Sequence, residues 1–329
     1  MRLTTLAESN IHFEEAALVC ERILYQVKQV IVGQENLIEK LTLSLIIGGH
    51  CLIEGAPGLA KTLLMKTISA TIKADFKRIQ FTNDLLPADL LGFQTYNSFE
   101  HSFSFNRGPI FGNLILVDEI NRAPAKVQSA LLEAMQEKQV TINGTTYPLE
   151  EVFLVLATQN PYEHEGTYAL PDAQIDRFTF KLLANYPSAE EETSIINRFC
   201  LSPNLVKIKP VCTIENLLRI RRLTEQVFIE PEIVQRIVQI AQATRQPEQF
   251  GLSELKDKIE YGISPRASIA LAQAIKGLAV LRGRNYARIQ DLHEIVLDVF
   301  RHRLVVSYKA AIEGIKPEDI INIILKKVS

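Results

Sequence analysis

The sequence has no tryptophan, few cysteines and no long uninterrupted apolar run. Its four cysteines are scattered along the chain, at Cys20, Cys51, Cys200 and Cys212. They form no CxxC pair, and no histidine stands at the spacing of a zinc site, which argues against a disulfide framework and against a structural metal. This use of cysteine fits a reducing compartment, so we expect a cytoplasmic protein.

Apolar segments long enough to cross a membrane are also lacking. The longest apolar run, residues 41–53, is broken by Gly48, Gly49 and His50. The N-terminal segment has no long apolar core after its first arginine. We therefore expect neither a signal peptide nor a membrane span.

The charge balance shows no excess of positive residues. Lys plus Arg total 36 and Asp plus Glu total 38, which gives a formal net charge of −2. These totals do not suggest a protein that binds nucleic acid, although they leave room for a local basic patch. With 329 residues, of which 47% are hydrophobic, the chain is long enough for about two globular domains.

Short β-branched runs alternate with helical stretches over residues 31–183, which predicts an α/β fold with helices on both faces of a parallel sheet. Most of these runs are continuously apolar, as expected for strands that are buried on both faces. We predict a five-stranded sheet from the segments Cys51–Glu54, Arg78–Thr82, Leu114–Val117, Phe153–Ala157 and Phe178–Leu182.

Beyond residues 186–188 the strand signal fades and long amphipathic helices follow. The predicted helices are Ile214–Thr224, Pro231–Thr244, Ala267–Arg282 and Ile289–Val306. We therefore predict a sheet domain over 1–187 and a linker with a small all-helical lid over 188–329. Within the sheet domain, the Asn143-Gly144 pair predicts a β-hairpin at about 139–148.

A glycine-bearing turn lies between the first predicted strand and a helix, which is the setting of a phosphate-binding loop. The loop and the start of the helix comprise Gly55, Ala56, Pro57, Gly58, Leu59, Ala60, Lys61, Thr62 and Leu63. Backbone N–H groups and the helix N-terminus supply partial positive charge there. Lys61 is placed to reach the β- and γ-phosphates of a nucleotide, and the Thr62 hydroxyl to bind Mg²⁺.

This loop departs from the pattern GxxxxGK[ST] at one position, since Ala60 stands where the second glycine is usual. So short a pattern also occurs in an ordinary strand-to-helix turn that ends in a solvated lysine. The loop alone therefore does not establish a nucleotide site.

Polar side chains follow two later strands. Asp118 and Glu119 end the run that begins at Leu114, and Asn160 ends the next strand, before Pro161. Both positions lie at the carboxyl edge of the sheet, where α/β proteins bind ligands. Asp118 is suited to hold Mg²⁺ through water, Glu119 to polarise an attacking water, and Asn160 to bond the γ-phosphate or that water. Taken alone, each could be an ordinary turn.

Three segments closely resemble the MoxR branch of the AAA+ ATPases: Asp118–Glu137, Glu165–Phe178 and Gly262–Ala267. Similar residues extend from about Val32 to Val306. The resemblance implies that Lys61 and Thr62 belong to a Walker A motif, that Asp118 and Glu119 form Walker B, and that Asn160 is sensor 1.

The resemblance further implies roles that spacing alone does not indicate. Val32, Gly33 and Gln34 would lie against the adenine of ATP or ADP. Arg177 would be an arginine finger that reaches the γ-phosphate in a neighbouring subunit, and Arg266 would be sensor 2 on the lid. A solvated cap is the other interpretation of Arg177, and a partner carboxylate would equally explain Arg266 at a helix start.

The segment 84–112 resembles the helix-2 insert of this clade, a hairpin that interrupts a core helix. Its aromatic residues could grip a client, but phenylalanines that alternate along a strand more often pack against their neighbours. Arg107 and Arg122 are either contacts between subunits or with nucleotide, or ordinary salt bridges.

By resemblance, the chain would work as a homo-oligomer, as a hexameric ring, that hydrolyses ATP with Mg²⁺ to remodel a client protein. A partner with a von Willebrand factor A domain and a role in metal-cofactor insertion or complex maturation would be typical. Two alternatives stay open: a nucleic-acid motor, whose binding would weaken with rising salt, and a nucleotide-gated scaffold with little turnover. A GTPase is disfavoured because no [NT]KxD segment is present.

Overall fold

A computed structural model describes residues 2–99, 101–161, 166–201 and 207–328, with the side chains of 2–11, 97 and 201 left aside. Glu165, the first residue of the segment Glu165–Phe178, lies outside these residues. Contacts divide the chain into two compact units. Residues 21–177 with 182–218 form what we call the sheet unit, and residues 1–20 with 178–181 and 219–329 form the helical unit. These units divide the chain at other points than the predicted domains, whose boundary stays a prediction.

The strands, in chain order, are β1 (Cys51–Glu54), β2 (Ile72–Lys73), β3 (Phe76–Gln80), β4 (Gly92–Asn97), β5 (Ser102–Arg107), β6 (Leu114–Asp118), β7 (Gln139–Ile142), β8 (Thr145–Pro148), β9 (Leu154–Gln159), β10 (Phe180–Leu183), β11 (Cys212–Thr213), β12 (Ile259–Tyr261) and β13 (Val305–Val306). The helices are α1 (Arg2–Lys28), α2 (Glu35–Ile47), α3 (Lys61–Ala70), α4 (Pro87–Leu91), α5 (Ala125–Glu137), α6 (Asp172–Ile175), α7 (Ala189–Ile196), α8 (Ile214–Gln226), α9 (Pro231–Arg245), α10 (Pro265–Leu281), α11 (Ile289–Phe300), α12 (Tyr308–Ile312) and α13 (Pro317–Val328).

The main sheet has the strand order β10-β1-β9-β6-β3, which confirms the five-stranded parallel sheet with flanking helices. Every residue of β6 is buried, as the continuous apolar runs require. The observed strands differ from the predicted ones by one or two residues at several ends. One row of the register joins Arg78, Leu116, Leu156 and Cys51 across four strands. Two residues further on, the same strands reach the carboxyl edge of the sheet.

Two antiparallel hairpins belong to the sheet unit. The predicted hairpin is confirmed as β7–β8, and its turn residues Asn143 and Gly144 have φ of 49° and 81°, as a two-residue type I′ turn demands. The segment 84–112 contains α4 and the hairpin β4–β5. The two hairpins touch, because the rings of Phe105 and Tyr147 stack 4.3 Å apart.

The helical unit contains α9, α10, α11 and α13, whose buried faces are formed mainly by aliphatic residues. The prediction of one helix over Ile289–Val306 was wrong, since α11 ends at Phe300. Val305–Val306 instead pairs antiparallel with β12. Apolar periodicity continued through this segment, but pairing with a strand more than forty residues away decided its conformation.

A buried polar cluster follows α11 within the helical unit. Arg301 donates to the carbonyl oxygen of Lys181 at 2.8 Å, and Arg303 donates to that of Phe178 at 2.7 Å. The His302 Nε2 atom lies 2.9 Å from the same Phe178 oxygen. Burial lowers the pKa of His302 well below its ordinary value and the charge of Arg303 lowers it further, so this ring is neutral at pH 7. We call the three residues 301–303 the backbone clasp.

Candidate active site

The loop between β1 and α3 is the segment that the sequence predicts to bind phosphate. Gly55 cannot be replaced without movement, because a Cβ there would lie 2.8 Å from the carbonyl oxygen of Ala184. The Lys61 ammonium is folded onto the loop, where it donates to the carbonyl oxygens of Gly55 and, at 2.7 Å, Ala56. Burial lowers the pKa of Lys61, and the charges of Glu119 and Asp118 oppose this. The Lys61 ammonium therefore lies close enough to both carboxylates for their charges to act on it.

Ala60, the departure from the usual motif, directly precedes α3 in the left-handed region, with φ 54° and ψ 23°. A Cβ costs roughly 1–2 kcal/mol in this conformation, which glycine adopts freely. Ala60 thus adopts a left-handed conformation that suits glycine, although its side chain is a methyl group.

Ala60→Gly is expected to raise the free energy of unfolding by about 0.5–1 kcal/mol, because relief of the left-handed strain exceeds the added entropy of the unfolded chain. The matched control is Ala130→Gly, within α5, where glycine should instead cost about 0.5–1 kcal/mol. Urea unfolding of both variants measures whether the free energy of unfolding rises for Ala60→Gly and falls for Ala130→Gly. Equal destabilisation by both changes would contradict the strain at Ala60.

Asp118 stands at the end of β6 with its side chain only 6% exposed. Its Oδ1 accepts a hydrogen bond from the Thr62 hydroxyl at 2.9 Å. Its Oδ2 pairs with Nε of Arg78, from the neighbouring strand β3, at 2.7 Å. Both carboxylate oxygens therefore have partners, one on α3 and one on the edge strand of the sheet.

Glu119 follows with φ 58°, a left-handed conformation that turns its side chain out of the strand. Its Oε2 accepts from the amide of Gln80 at 2.9 Å and pairs with Nε of Arg122 at 2.9 Å. Its backbone N–H donates to the Thr158 hydroxyl at 2.9 Å. The carboxylate is thus held by two side chains, and the contact of Arg122 is an ion pair within the chain.

Asn160 follows β9 and is buried, 5% exposed. The Asn121 amide nitrogen lies 3.4 Å from its carbonyl oxygen, which connects it to the segment after Glu119. Asn160 lines the same cavity as the loop and both acids. This cavity, of about 470 Å³, is bounded by Pro57, Gly58, Leu59, Ala60, Lys61, Thr62, Leu63, Arg78, Gln80, Asp118, Glu119, Thr158, Gln159 and Asn160.

A second, mostly apolar cavity of about 120 Å³ shares Gly58, Leu59, Ala60 and Leu63 with the first. Its wall is formed by Val30, Ile31, Val32, Gln34, Gly58, Leu59, Ala60, Leu63, Pro187, Ile195 and Phe199. The Gln34 amide donates to the Leu59 carbonyl oxygen at 3.3 Å. Gly33 has φ 69°, and a Cβ there would lie 2.2 Å from a carboxylate oxygen of Glu191. The segment 32–34 therefore adjoins the loop between β1 and α3, and the apolar cavity lies beside it.

The remaining predicted residues lie outside both cavities. Arg177, partly exposed, donates from Nη1 to the carbonyl oxygen of Leu132 at 2.6 Å. The Arg107 guanidinium lies 5.2 Å from the centre of the Phe111 ring, which is a contact within the chain. Arg266 belongs to the helical unit, in the first turn of α10.

The donors around Thr62 and Asp118 suit a hard divalent cation. A hydroxyl and a carboxylate oxygen lie 2.9 Å apart at the wall of the larger cavity, and oxygen ligands with room for water are what Mg²⁺ prefers. These two residues would hold the ion.

Sequence reasoning missed Arg78 and Gln80, which contact the two acids. One signal was available: polar residues at alternate positions of a predicted strand point to one face. Their partners could not be inferred, because only the register of β3 against β6 brings this face to Asp118 and Glu119.

Comparisons with known proteins agree with this geometry. Residues 50–180 match the ATPase family associated with various cellular activities (AAA), and residues 253–324 match the AAA lid domain. The chain is 46% identical to the chaperone MoxR1 of Mycobacterium tuberculosis, over 94% of this chain and 81% of the relative. It is 40% identical to the uncharacterised protein YeaC of Bacillus subtilis, over 92% of each chain.

A solved structure is also similar. The crystal structure of a candidate ATPase from Cytophaga hutchinsonii superposes with a TM-score of 0.91 at 43% identity, covering 100% of this chain and 99% of that one. Within the described residues, no helix has both the length and the apolar character needed to span a bilayer.

Proposed function

The chain belongs to the MoxR family of AAA ATPases, and on this premise we propose that it hydrolyses ATP to ADP and phosphate in order to remodel a client protein. The observation that carries the proposal is the larger cavity, whose wall brings together Lys61, Thr62, Asp118, Glu119 and Asn160. These residues come from a loop and two strand ends that are far apart in the sequence. A chance phosphate-loop pattern would have no reason to face both acids.

Each residue has a part that its chemistry supports. The loop amides and Lys61 bind the phosphates, and Lys61 leaves the carbonyls of Gly55 and Ala56 to do so. Glu119 accepts a proton from, or orients, the attacking water, and Asn160 positions that water or the γ-phosphate. When bound by Thr62 and Asp118, Mg²⁺ supplies positive charge that stabilises the phosphates. The apolar cavity beside Val32, Gly33 and Gln34 suits the adenine ring.

The site would be completed in a ring of subunits, six in the proposed assembly. Arg177 would act as a finger toward the nucleotide of the next subunit, since charge on the transferring phosphoryl group needs cationic stabilisation. Arg266 would sense the nucleotide from the lid. The chaperone description of MoxR1 supports a protein client. A von Willebrand factor A partner, a role in metal-cofactor insertion and a cytoplasmic location stay proposals of the same kind.

A second candidate function is a nucleotide-gated scaffold with little turnover. The observation that favours it is the state of Glu119, whose carboxylate is held by both Gln80 and Arg122. Both contacts are made by Oε2, so this oxygen is not free for a water molecule until one of the two side chains moves. Neither the matched families nor the two relatives favour the nucleic-acid motor.

Phosphate release from ATP, measured over a range of protein concentrations, tests the proposal. Activity per subunit is expected to rise with concentration and then level off, because a finger from another subunit makes turnover depend on assembly. Light scattering on the same samples reports assembly independently. Nucleotide binding without turnover at any concentration would overturn the motor and favour the scaffold.

A further inference from the structure

Arg78 is a cation on the edge strand that both lines the larger cavity and pairs with Asp118. It lies on β3, its side chain is 45% exposed, and it lines the larger cavity. Its Nε atom makes a 2.7 Å ion pair with Oδ2 of Asp118, whose side chain is 6% exposed. A nearly buried carboxylate needs a compensating charge, and Arg78 supplies it from the side of the cavity.

The partner of Arg78 is the residue that would also serve Mg²⁺. Oδ1 of Asp118 accepts from the Thr62 hydroxyl, and Oδ2 is the other oxygen with which Asp118 would hold a metal-bound water. Arg78 holds that oxygen. A guanidinium in this place both occupies one acceptor of the carboxylate and repels a second cation beside it.

We propose that Arg78 competes with Mg²⁺ for Asp118, as a built-in counter-cation that weakens magnesium binding until a nucleotide contributes its own negative charge. This inference rests on the proposed function, since it concerns the metal used with the nucleotide. The competition weakens the binding of Mg²⁺ to the protein without nucleotide. Mg²⁺ and the nucleotide phosphates are therefore expected to bind together. Arg78 is partly exposed, so its side chain has room to turn away from Asp118 when they arrive.

The test compares the dissociation constant of ADP in excess EDTA with that in excess magnesium chloride, by titration calorimetry. The ratio of the two constants is the magnesium advantage. Arg78→Gln removes the competing charge and is expected to increase this advantage about tenfold, the scale of one hydrogen bond to a charged group. Affinity in EDTA is expected to fall, because the variant loses a cation from the cavity wall, so the predicted gain must appear as tighter ADP binding in magnesium.

Lys77→Gln is the matched control. Lys77 precedes Arg78 on β3 and pairs with Asp75 at 3.2 Å, so its loss removes one positive charge from the same strand without touching Asp118. Its magnesium advantage should equal that of the wild type. Arg78→Lys keeps the charge but loses the planar fork, so we expect an intermediate gain of about threefold. This variant also serves if Arg78→Gln fails to fold.

The results distinguish a failure of the proposed role of Arg78 from a failure of the nucleotide site itself. An unchanged or smaller magnesium advantage in the Arg78 variants, with ADP still bound, would overturn the competition and leave the nucleotide site intact. An equal gain in Lys77→Gln would also overturn it, since general charge would then be the cause. Failure of the wild type to bind ADP in either buffer would refute the proposed function itself.

Discussion

Glu119→Gln is expected to lower the rate of ATP hydrolysis by about 10²–10⁴-fold, the contribution typical of a positioned general base. The amide keeps the size of the side chain but cannot accept a proton from the attacking water. Nucleotide affinity should remain near that of the wild type, because Lys61 and the loop amides supply the contacts to phosphate. Single-turnover phosphate release and ADP titration measure the two quantities on the same preparation.

Glu150→Gln is a suitable control, since Glu150 is exposed beyond β8 and its loss removes the same charge. It should leave turnover unchanged. A Glu119→Gln protein that hydrolyses ATP at the rate of the control would remove Glu119 from the mechanism.

A mixture experiment distinguishes a site within one subunit from a site shared by two. Arg177→Ala should also lack turnover, because the finger would act on the neighbouring nucleotide. In an equal mixture with Glu119→Gln, some interfaces pair an intact Glu119 with an intact Arg177, so part of the activity should return. Two inactive variants that stay inactive when mixed would argue against a shared site.

Arg303→Met is expected to lower the free energy of unfolding of the helical unit by about 3 kcal/mol, since the change leaves buried carbonyl groups without their donor. The guanidinium donates to the carbonyl oxygens of Phe178, Thr179 and Val299. Methionine fills a similar space but provides no hydrogen bond. His302 continues to contact only the Phe178 oxygen, so it cannot replace Arg303 at the other two.

Urea unfolding followed by circular dichroism measures this loss. Arg222→Met provides the matched control, because Arg222 is exposed on α8 and the same substitution there should change stability by less than about 0.5 kcal/mol. Similar unfolding midpoints for the two variants would show that the backbone clasp contributes little.

Much of the fold could be predicted from the sequence because buried strands and tight turns depend on residues that are close together in the chain. Continuous apolar runs such as Leu114–Val117 become buried parallel strands, since such strands are covered on both faces. The Asn143-Gly144 pair produced the β7–β8 hairpin, because its turn requires positive φ at both positions. The failure over Ile289–Val306 has the opposite cause, since the strand at its end depends on a distant partner.

The sequence by itself determined the α/β class, the position of the loop between β1 and α3, and the two acids at the end of β6, because short-range spacing and residue chemistry are sufficient for these. Tertiary structure alone decided which side chains hold those acids. Gln80 reaches Glu119 and Arg78 reaches Asp118 only because β3 pairs with β6 in one particular register. A shift by one residue would turn both side chains to the opposite face of the sheet.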